Sequence, residues 1–257
     1  MNPGRHSGAT WLDDAAPLEL SQTCLFLDID GTIAPIVARP DQVGPVAGRT
    51  ALLRALSVRL EGRLAVISGR AIPDIDRIVE GAVTAVAGVH GLQRRSADGR
   101  IHQAQPHPGL DVVRGRLAEF AAGRPGVLVE DKGLSIAIHY RAEPEAGDPI
   151  NTAARRIATE NGLGVQAGDQ VVELRTPGQD KGDAIRAFMT EAPFAGGRPV
   201  FVGDDLTDEP AFETAARMGG YGLLVGPARP THALRRLADC EAVLAWLDQA
   251  VLADANP

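Results

Sequence analysis

Two aspartates that follow an apolar run are the residues of this sequence best suited to chemistry. Asp28 and Asp30 come directly after the run at residues 24–27, and Gly31 and Thr32 follow them. Side chains two positions apart in an extended strand point to the same side, so both carboxylates can face one site. Two carboxylates at the end of a buried strand cost free energy unless a positive charge compensates them. The pair therefore indicates a site for a divalent cation.

A second acidic group follows the apolar run at residues 200–202. The segment reads Gly-Asp-Asp-Leu-Thr-Asp-Glu from 203 to 209, so four acidic side chains crowd one strand end. Oxygen-rich groups of this kind suit Mg²⁺, which takes one or two carboxylates and keeps water and phosphate as further ligands. The segment makes Asp204, Asp205 and Asp208 candidates for a Mg²⁺ site.

Two further segments carry groups that can hold a phosphate. Ser68-Gly69-Arg70 ends the apolar run at residues 64–67, and a hydroxyl with turn amides can bind phosphate oxygens. Lys181 precedes a helix predicted from Asp183 and supplies a cation at the same edge. Ligands of open parallel sheets bind beyond the carboxyl ends of the strands, where all these segments lie.

The elements that must position these groups alternate between strand and helix patterns. Short apolar runs typical of buried parallel strands occur at 24–27, 64–67, 83–87, 200–202 and 223–225. Apolar residues recur every three or four positions, a spacing typical of helices, at 49–60, 183–189, 209–218 and 241–251. This alternation predicts an α/β fold with a parallel sheet covered by helices on both faces.

The segment from 94 to 177 has a different pattern. Short turn signals at Asp98-Gly99, Asp131-Lys132-Gly133 and Gly168-Asp169 predict hairpins, with helices at 110–121 and 149–161 between them. We interpret 94–177 as an α+β domain with an antiparallel sheet, inserted into a core formed by 18–93 and 178–257. Residues 1–17 are expected to be a disordered tail.

Composition restricts the classes of partner. A net charge of −7 argues against nucleic-acid binding, and the apolar runs are far shorter than the roughly 20 residues of a membrane span. The first 17 residues lack the features of a secretory signal. Cys24 and Cys240 lie far apart and match no metal-binding spacing, which favours reduced thiols. We expect a monomeric cytoplasmic protein that binds neither nucleic acid nor membrane.

The four segments, in this order, resemble the motifs of the haloacid dehalogenase (HAD) superfamily. The resemblance implies a HAD-like Rossmannoid core with an inserted α+β cap domain of the C2 type. It also implies that Asp28 is a nucleophile that forms an aspartyl phosphate, and that Asp30 serves first as general acid and then as general base. The remaining implied roles are a Mg²⁺ site at Asp28, the backbone carbonyl of Asp30 and Asp204; phosphate binding by Ser68, Gly69 and Lys181; and support of the metal and of Lys181 by Asp205 and Asp208.

Three segments resemble trehalose-6-phosphate phosphatases in particular. They are Val-Glu-Asp-Lys-Gly-Leu-Ser-Ile-Ala-Ile-His-Tyr-Arg at 129–141, Ala-Gly-Val-His-Gly at 87–91 and Val-Glu-Leu-Arg at 172–175. The resemblance implies a phosphosugar substrate whose sugar is bound by Glu130, Lys132, Glu173, Arg141 and His90. Carboxylates and ammonium groups suit this task because they bond sugar hydroxyls strongly and with direction. His139 and Tyr140 are expected to support packing.

Two alternatives stay open at this point. One is a phosphatase of the same cap type that acts on sucrose phosphate, mannosylglycerate phosphate or glucosylglycerate phosphate. The other is a phosphosugar sensor without hydrolytic activity. The presence of both Asp28 and Asp30 argues against the sensor, since a chain without catalysis is expected to lose one of them.

Overall fold

The computed structural model describes residues 15–253. Its strands, in chain order, are β1 (Thr23–Leu27), β2 (Leu64–Ile67), β3 (Ala85–Gly88), β4 (Gln93–Arg95), β5 (Ile101–Gln103), β6 (Leu128–Asp131), β7 (Ser135–His139), β8 (Gly164–Gly168), β9 (Val171–Arg175), β10 (Arg198–Gly203), β11 (Tyr221–Val225) and β12 (Arg235–Leu237). Its α-helices are α1 (Ala47–Arg59), α2 (Ile72–Val79), α3 (Gly109–Ala121), α4 (Gly147–Glu160), α5 (Lys181–Met189), α6 (Glu209–Arg217) and α7 (Cys240–Ala253).

The predicted tail at 1–17 falls mostly outside the described residues. Of its last three residues, Ala16 accepts a hydrogen bond from the indole Nε1 of Trp246 at 2.9 Å. Within the described part of the chain, no helix is both long enough and apolar enough to cross a bilayer.

An eight-stranded sheet forms the core, in the order β12-β11-β10-β1-β2-β3-β4-β5. The pairs from β12 to β3 are parallel, as predicted. Side chains of β1 alternate between the two faces. Leu25 and Leu27 pack with residues of α1, α2 and α7, whereas Phe26 packs with residues of α5 and α6. The sheet is therefore covered by helices on both faces.

The strand order determines which loops meet. β1 lies between β10 and β2, so the loops at the carboxyl ends of these three strands are neighbours. Chain connections run to opposite sides of the sheet on either side of β1, which is the usual place for a ligand in this class of fold. Helix α5 begins at Lys181, two residues earlier than the pattern predicts, because Asp180 caps its N-terminus through the amide of Asp183.

Residues 93–103 join the core sheet and do not pair with the inserted antiparallel sheet. We predicted that 94–177 forms one inserted unit, but β4 pairs antiparallel with β3, and β5 pairs with β4. Buried Arg94 anchors this hairpin, because its guanidinium forms two hydrogen bonds of 2.8 Å with Glu191. The turn at Gly99 is present as predicted. A turn signal identifies a hairpin but not the sheet to which the hairpin pairs.

The inserted unit, here called the cap, comprises β6 to β9 with α3 and α4. Its four strands form an antiparallel sheet in the order β6-β7-β9-β8. Ile136, Ile138 and Leu174 pack against the two helices in a core of their own. The intervening residues face the other way, so a row of paired positions is presented toward the core sheet: Glu130, Ala137, Glu173 and Gln166.

We predict that Phe188→Ala strongly destabilises the protein. Phe188 is fully buried and its ring centroid lies 5.3 Å from that of Phe194 and 6.0 Å from that of Phe26. The cavity left by the ring should lower the free energy of unfolding by about 3–5 kcal/mol in urea titrations. Val58→Ala, at a side chain 76% exposed, should change it by less than about 0.5 kcal/mol. Equal effects of the two substitutions would contradict this packing.

Candidate active site

Lys181 lies at the centre of the polar residues that follow the carboxyl ends of the core strands. Its Nζ donates to Asp28 Oδ2 at 2.7 Å and to Asp208 Oδ1 at 2.6 Å, and the residue is only 1% exposed. Burial alone would lower the pKa of Lys181, but the two carboxylates outweigh it and raise that pKa above its ordinary value. The lysine is therefore a fixed positive charge that joins the end of β1 to the loop after β10.

Asp208 stabilises the acidic loop at residues 204–208 through hydrogen bonds to its backbone. Its Oδ2 accepts from the backbone amides of Asp204 at 2.9 Å and Asp205 at 3.0 Å, and the side chain is fully buried. Arg229 also holds this loop, because its guanidinium donates to the carbonyls of Asp204 at 3.2 Å and Asp205 at 2.8 Å. We did not single out Arg229 from the sequence, because it follows β11 in a loop without a motif.

Three carboxylates lie close enough to share a cation. Oxygens of Asp28, Asp204 and Asp208 lie within 4.8 Å of one another. Burial, and then the charges of Asp28 and Asp208, raise the pKa of Asp204 to about 9. Burial likewise raises the pKa of Asp28 to about 6 despite Lys181. One ammonium does not neutralise three carboxylates, and a hard oxygen donor set of this kind fits a divalent cation such as Mg²⁺.

Glycine at position 31 allows the loop after β1 to approach the acidic loop after β10. Its φ is +75°, and a Cβ built there would lie 2.0 Å from Asp204 Oδ2. A side chain at this position would therefore collide with the acidic loop.

Asp30 points away from this cluster and pairs with Arg70. The guanidinium of Arg70 donates from Nε to Asp30 Oδ2 at 2.7 Å and from NH2 to Asp30 Oδ1 at 2.8 Å. Arg70 also contacts Asp74 and donates to the carbonyl of Pro40 at 3.0 Å. This buried arginine fixes the second aspartate of the motif at the edge of the cavity. The two aspartates therefore have different partners. Asp28 accepts a hydrogen bond from the ammonium of Lys181, whereas Asp30 accepts from the guanidinium of Arg70.

The cap brings a second polar cluster over the strand ends. Lys132 Nζ donates to Glu173 Oε2 and to the carbonyl of Gly69, both at 2.9 Å, so it bridges the cap and the Ser68-Gly69 loop. Glu130 Oε2 lies 2.9 Å from His139 Nε2. Burial would raise the pKa of Glu130, but the hydrogen bond with His139 and the charge of Lys132 outweigh it and hold the pKa below its usual range.

Arg141 connects the cap to a core loop. Its NH1 donates to the carbonyl of Val37 at 2.6 Å, and its NH2 donates to the carbonyl of Asp169 at 2.8 Å. Val37 belongs to the core, whereas Asp169 lies in the turn between β8 and β9. The arginine therefore ties both cap hairpins to the core at the rim of the cavity.

One cavity is lined by almost all the residues that the sequence singles out. The lining includes Asp28, Asp30, Ser68, Gly69, His90, Glu130, Lys132, Arg141, Glu173, Lys181, Asp204 and Asp205, while Asp208 lies beneath it. Arg70, His139, Asp169 and Thr207 also line it. We expected His139 to support packing, but alternation along β7 turns it to the same side as Ala137. Tyr140 does pack against the cap core.

Comparison with known proteins relates most of the chain to one family. A family model described as trehalose-phosphatase matches residues 26–239. A probable trehalose-phosphate phosphatase of Sinorhizobium fredii is 38% identical over 234 residues, which cover 89% of this chain and 88% of the relative. A trehalose-6-phosphate phosphatase of Escherichia coli is 40% identical over 225 residues, which cover 87% and 84%. The similarity therefore extends through core and cap together.

The fold is shared with solved structures. The crystal structure of a trehalose-6-phosphate phosphatase related protein aligns with a TM-score of 0.77 at 26% identity, over 90% of this chain and 98% of that one. The HAD-like α/β fold with a parallel core sheet, predicted from the sequence, is confirmed.

We predict that protein stripped of divalent cations loses stability as the pH rises from 7.0 to 8.5. The pKa of Asp204 is about 9 when folded, against about 3.9 when unfolded, so the folded state holds a proton that the unfolded chain has lost. Between these values the free energy of unfolding therefore falls with rising pH. A cation that binds the carboxylate form should raise the thermal midpoint more at pH 8.5 than at pH 7.0.

Melting curves in EDTA and in excess Mg²⁺ check this expectation. Asp204→Asn is the matched control, because an amide neither titrates nor attracts the cation, and it should remove most of the pH dependence. A midpoint shift by Mg²⁺ that is the same at both pH values would contradict the cluster as a cation site.

Proposed function

Because the chain belongs to the trehalose-phosphatase family, we propose that it hydrolyses trehalose 6-phosphate to trehalose and phosphate, with Mg²⁺ as cofactor and an aspartyl-phosphate intermediate. One observation carries the proposal beyond the family: a single cavity is lined both by the carboxylates and lysine of the strand ends and by charged groups of the cap. Such a cavity suits a ligand with a phosphate at one end and many hydroxyls at the other.

Asp28 is the proposed nucleophile. Its Oδ1 accepts from the amide of Ile29 at 2.7 Å and its Oδ2 accepts from Lys181, so the carboxylate is held in one orientation. A carboxylate oxygen attacks phosphorus, and the bond between phosphorus and the sugar oxygen breaks. Ser68, Gly69 and Lys181 bind the phosphoryl oxygens.

Asp30 is the proposed acid and base. It gives a proton to the departing sugar oxygen, and it then takes a proton from the water that attacks the aspartyl phosphate. The pairing with Arg70 keeps its carboxylate at the rim, where the leaving sugar and the incoming water pass. Arg70 thus belongs to the proposed machinery as the group that orients Asp30.

The metal site is proposed at the acidic cluster. Asp28, the backbone carbonyl of Asp30 and Asp204 would hold Mg²⁺, with Asp205 and Asp208 in support. When bound, Mg²⁺ supplies positive charge that offsets the charge developing on the transferred phosphoryl group. The excess of three carboxylates over one ammonium supports this assignment.

The cap is proposed to recognise the sugar. Glu130, Lys132 and Glu173 offer charged acceptors and donors in the cavity, and His90 lies beside Glu173. A site whose buried polar groups need the correct hydroxyls rejects sugars that leave them unpaired. Arg141 remains a predicted sugar ligand, although its NH1 and NH2 already donate to backbone carbonyls. The cytoplasmic location and monomeric state stay predictions.

A panel of phosphosugars tests the proposed function. Phosphate release should be fastest with trehalose 6-phosphate, compared with sucrose phosphate, mannosylglycerate phosphate and glucosylglycerate phosphate, at equal concentration in Mg²⁺. Asp28→Asn should abolish release from every ester, because the amide is a far weaker nucleophile. Equal rates across the panel would refute the substrate, and tight binding without turnover would favour a sensor.

We predict that Glu130→Ala separates sugar recognition from phosphate chemistry. In the structure Glu130 pairs with His139 inside the cap, and its loss should lower kcat/KM for the disaccharide phosphate by about 10- to 100-fold, the effect of a hydrogen bond to a charged group of about 1.5–3 kcal/mol. Hydrolysis of a small aryl phosphate should fall far less. Arg116→Ala, at an exposed ion pair on α3, is the control. Equal losses on both substrates would mean that Glu130 supports the fold.

A further inference from the structure

A strained turn after β3 fixes the direction of His90. Val89 has φ of 48° and His90 has φ of 54°, a left-handed conformation that is strained for residues other than glycine. Two backbone hydrogen bonds hold the turn, from Val89 N to the carbonyl of Arg70 at 2.9 Å and from His90 N to the carbonyl of Ser68 at 3.0 Å. These bonds join the turn of His90 to the loop at Ser68-Gly69-Arg70, which we propose binds phosphate, so the two segments form one rigid unit.

The ring of His90 lies between this loop and the cap. A Cβ built on Gly69 would lie 2.6 Å from His90 Nε2, so only glycine leaves room for the ring. On the other side, His90 Nε2 lies 3.5 Å from Glu173 Oε2. Burial outweighs the charge of Glu173 and lowers the pKa of His90, which favours the neutral ring at pH 7. A neutral ring carries one N–H and one lone pair, and which nitrogen carries the hydrogen decides what it can bond.

The contacts of Gln166 determine which ring nitrogen of His90 carries the hydrogen. Gln166 Nε2 lies 3.1 Å from His90 Nδ1, and Gln166 Oε1 accepts from Arg175 NH1 at 2.6 Å. A guanidinium can only donate, so the amide oxygen must face Arg175 and the amide NH₂ must face His90. His90 Nδ1 is then the acceptor, and the hydrogen of the ring is on Nε2, directed at Glu173. Arg175 is itself held by the carbonyl of Gln179 in the returning linker of the cap.

We propose that Gln166, oriented by Arg175, is a positioning residue for sugar recognition, which holds His90 in the Nε2–H tautomer so that His90 and Lys132 together fix the carboxylate of Glu173. Neither Gln166 nor Arg175 belongs to the sugar-contact set that the sequence predicts. With the other tautomer, a lone pair of His90 would face the anionic Glu173. The consequence for catalysis rests on the proposed function, whereas the tautomer itself does not.

Glutamine is suited to this position by chemistry and by register. Gln166 and Glu173 are direct cross-strand partners on the face of the cap that is turned to the core. The side chain must accept from Arg175 and donate to His90, which an amide does and a carboxylate does not. Gln166→Glu keeps the shape and the partner Arg175, but it removes the donor. It therefore tests the tautomer with little change in packing.

The first experiment is spectroscopic. Long-range ¹H–¹⁵N correlation spectra of ¹⁵N-histidine-labelled protein at pH 7.5 distinguish the two tautomers, and loss of signals in His90→Asn assigns the ring. The wild type should show the Nε2–H form, and Gln166→Glu should convert it to the Nδ1–H or doubly protonated form. An Nδ1–H ring in the wild type, or an unchanged ring in Gln166→Glu, would overturn the proposal. The wild-type spectrum decides even if the variant does not fold.

The second experiment is kinetic. With trehalose 6-phosphate, Gln166→Glu should raise KM about 10-fold, the size expected from misaligning one charged hydrogen bond, and should change kcat much less. Gln103→Glu, on exposed β5, makes the same chemical change away from the cavity and should leave both constants unaltered. A converted tautomer with an unchanged KM would refute the role in recognition. If the wild type does not turn over this substrate, the proposed function fails, while the spectra still test the tautomer.

Discussion

The buried ammonium of Lys181 is the interaction on which the rest of the site depends. It contacts Asp28 at the end of β1 and Asp208 in the loop after β10, although these residues lie far from it in the chain. Removing one partner of a buried charge pair costs about 3–5 kcal/mol, because the remaining charge is left uncompensated. Since Lys181 begins α5 directly after the chain returns from the cap, the same contact also fixes where the cap is attached relative to the strand ends.

The proposed roles of the aspartates differ because their surroundings differ. Asp208 has both oxygens occupied within the protein, by Lys181 and by two backbone amides, so it serves the loop. Within the described part of the chain the carboxylate of Asp204 forms no ion pair, and burial, followed by the charges of Asp28 and Asp208, raises its pKa. The carboxylate of Asp30 is paired with Arg70, which keeps that side chain apart from the carboxylates of the proposed metal cluster. These surroundings support different proposed roles for similar side chains: support for Asp208, metal ligand for Asp204 and acid for Asp30.

The sequence predicted well which residues meet at the carboxyl ends of the core strands, because parallel strands restrict where their ends can lie. Once the runs before Asp28, Ser68 and Asp204 are accepted as neighbouring strands, their following residues must converge. Contacts that depend on three-dimensional register were not predictable. The hairpin at 93–103 has only a local turn signal, β12 is only three residues long, and the pairing of Arg70 with Asp30 joins residues 40 positions apart. Helix α2 was missed although its apolar residues Ile72, Ile75 and Ile78 repeat at helical spacing.

The face of the cap that lines the cavity is set by residues on its opposite face. Ile136, Ile138 and Leu174 bury themselves against α3 and α4, and this burial selects the pairing register of the four strands. A slip of one residue would turn these side chains outward and would turn Glu173 and Gln166 away from the core. The same register places His139 in the cavity, although the sequence predicted that it supports packing. The polar face that we propose for sugar recognition is thus positioned by apolar side chains that lie beneath it and do not line the cavity themselves.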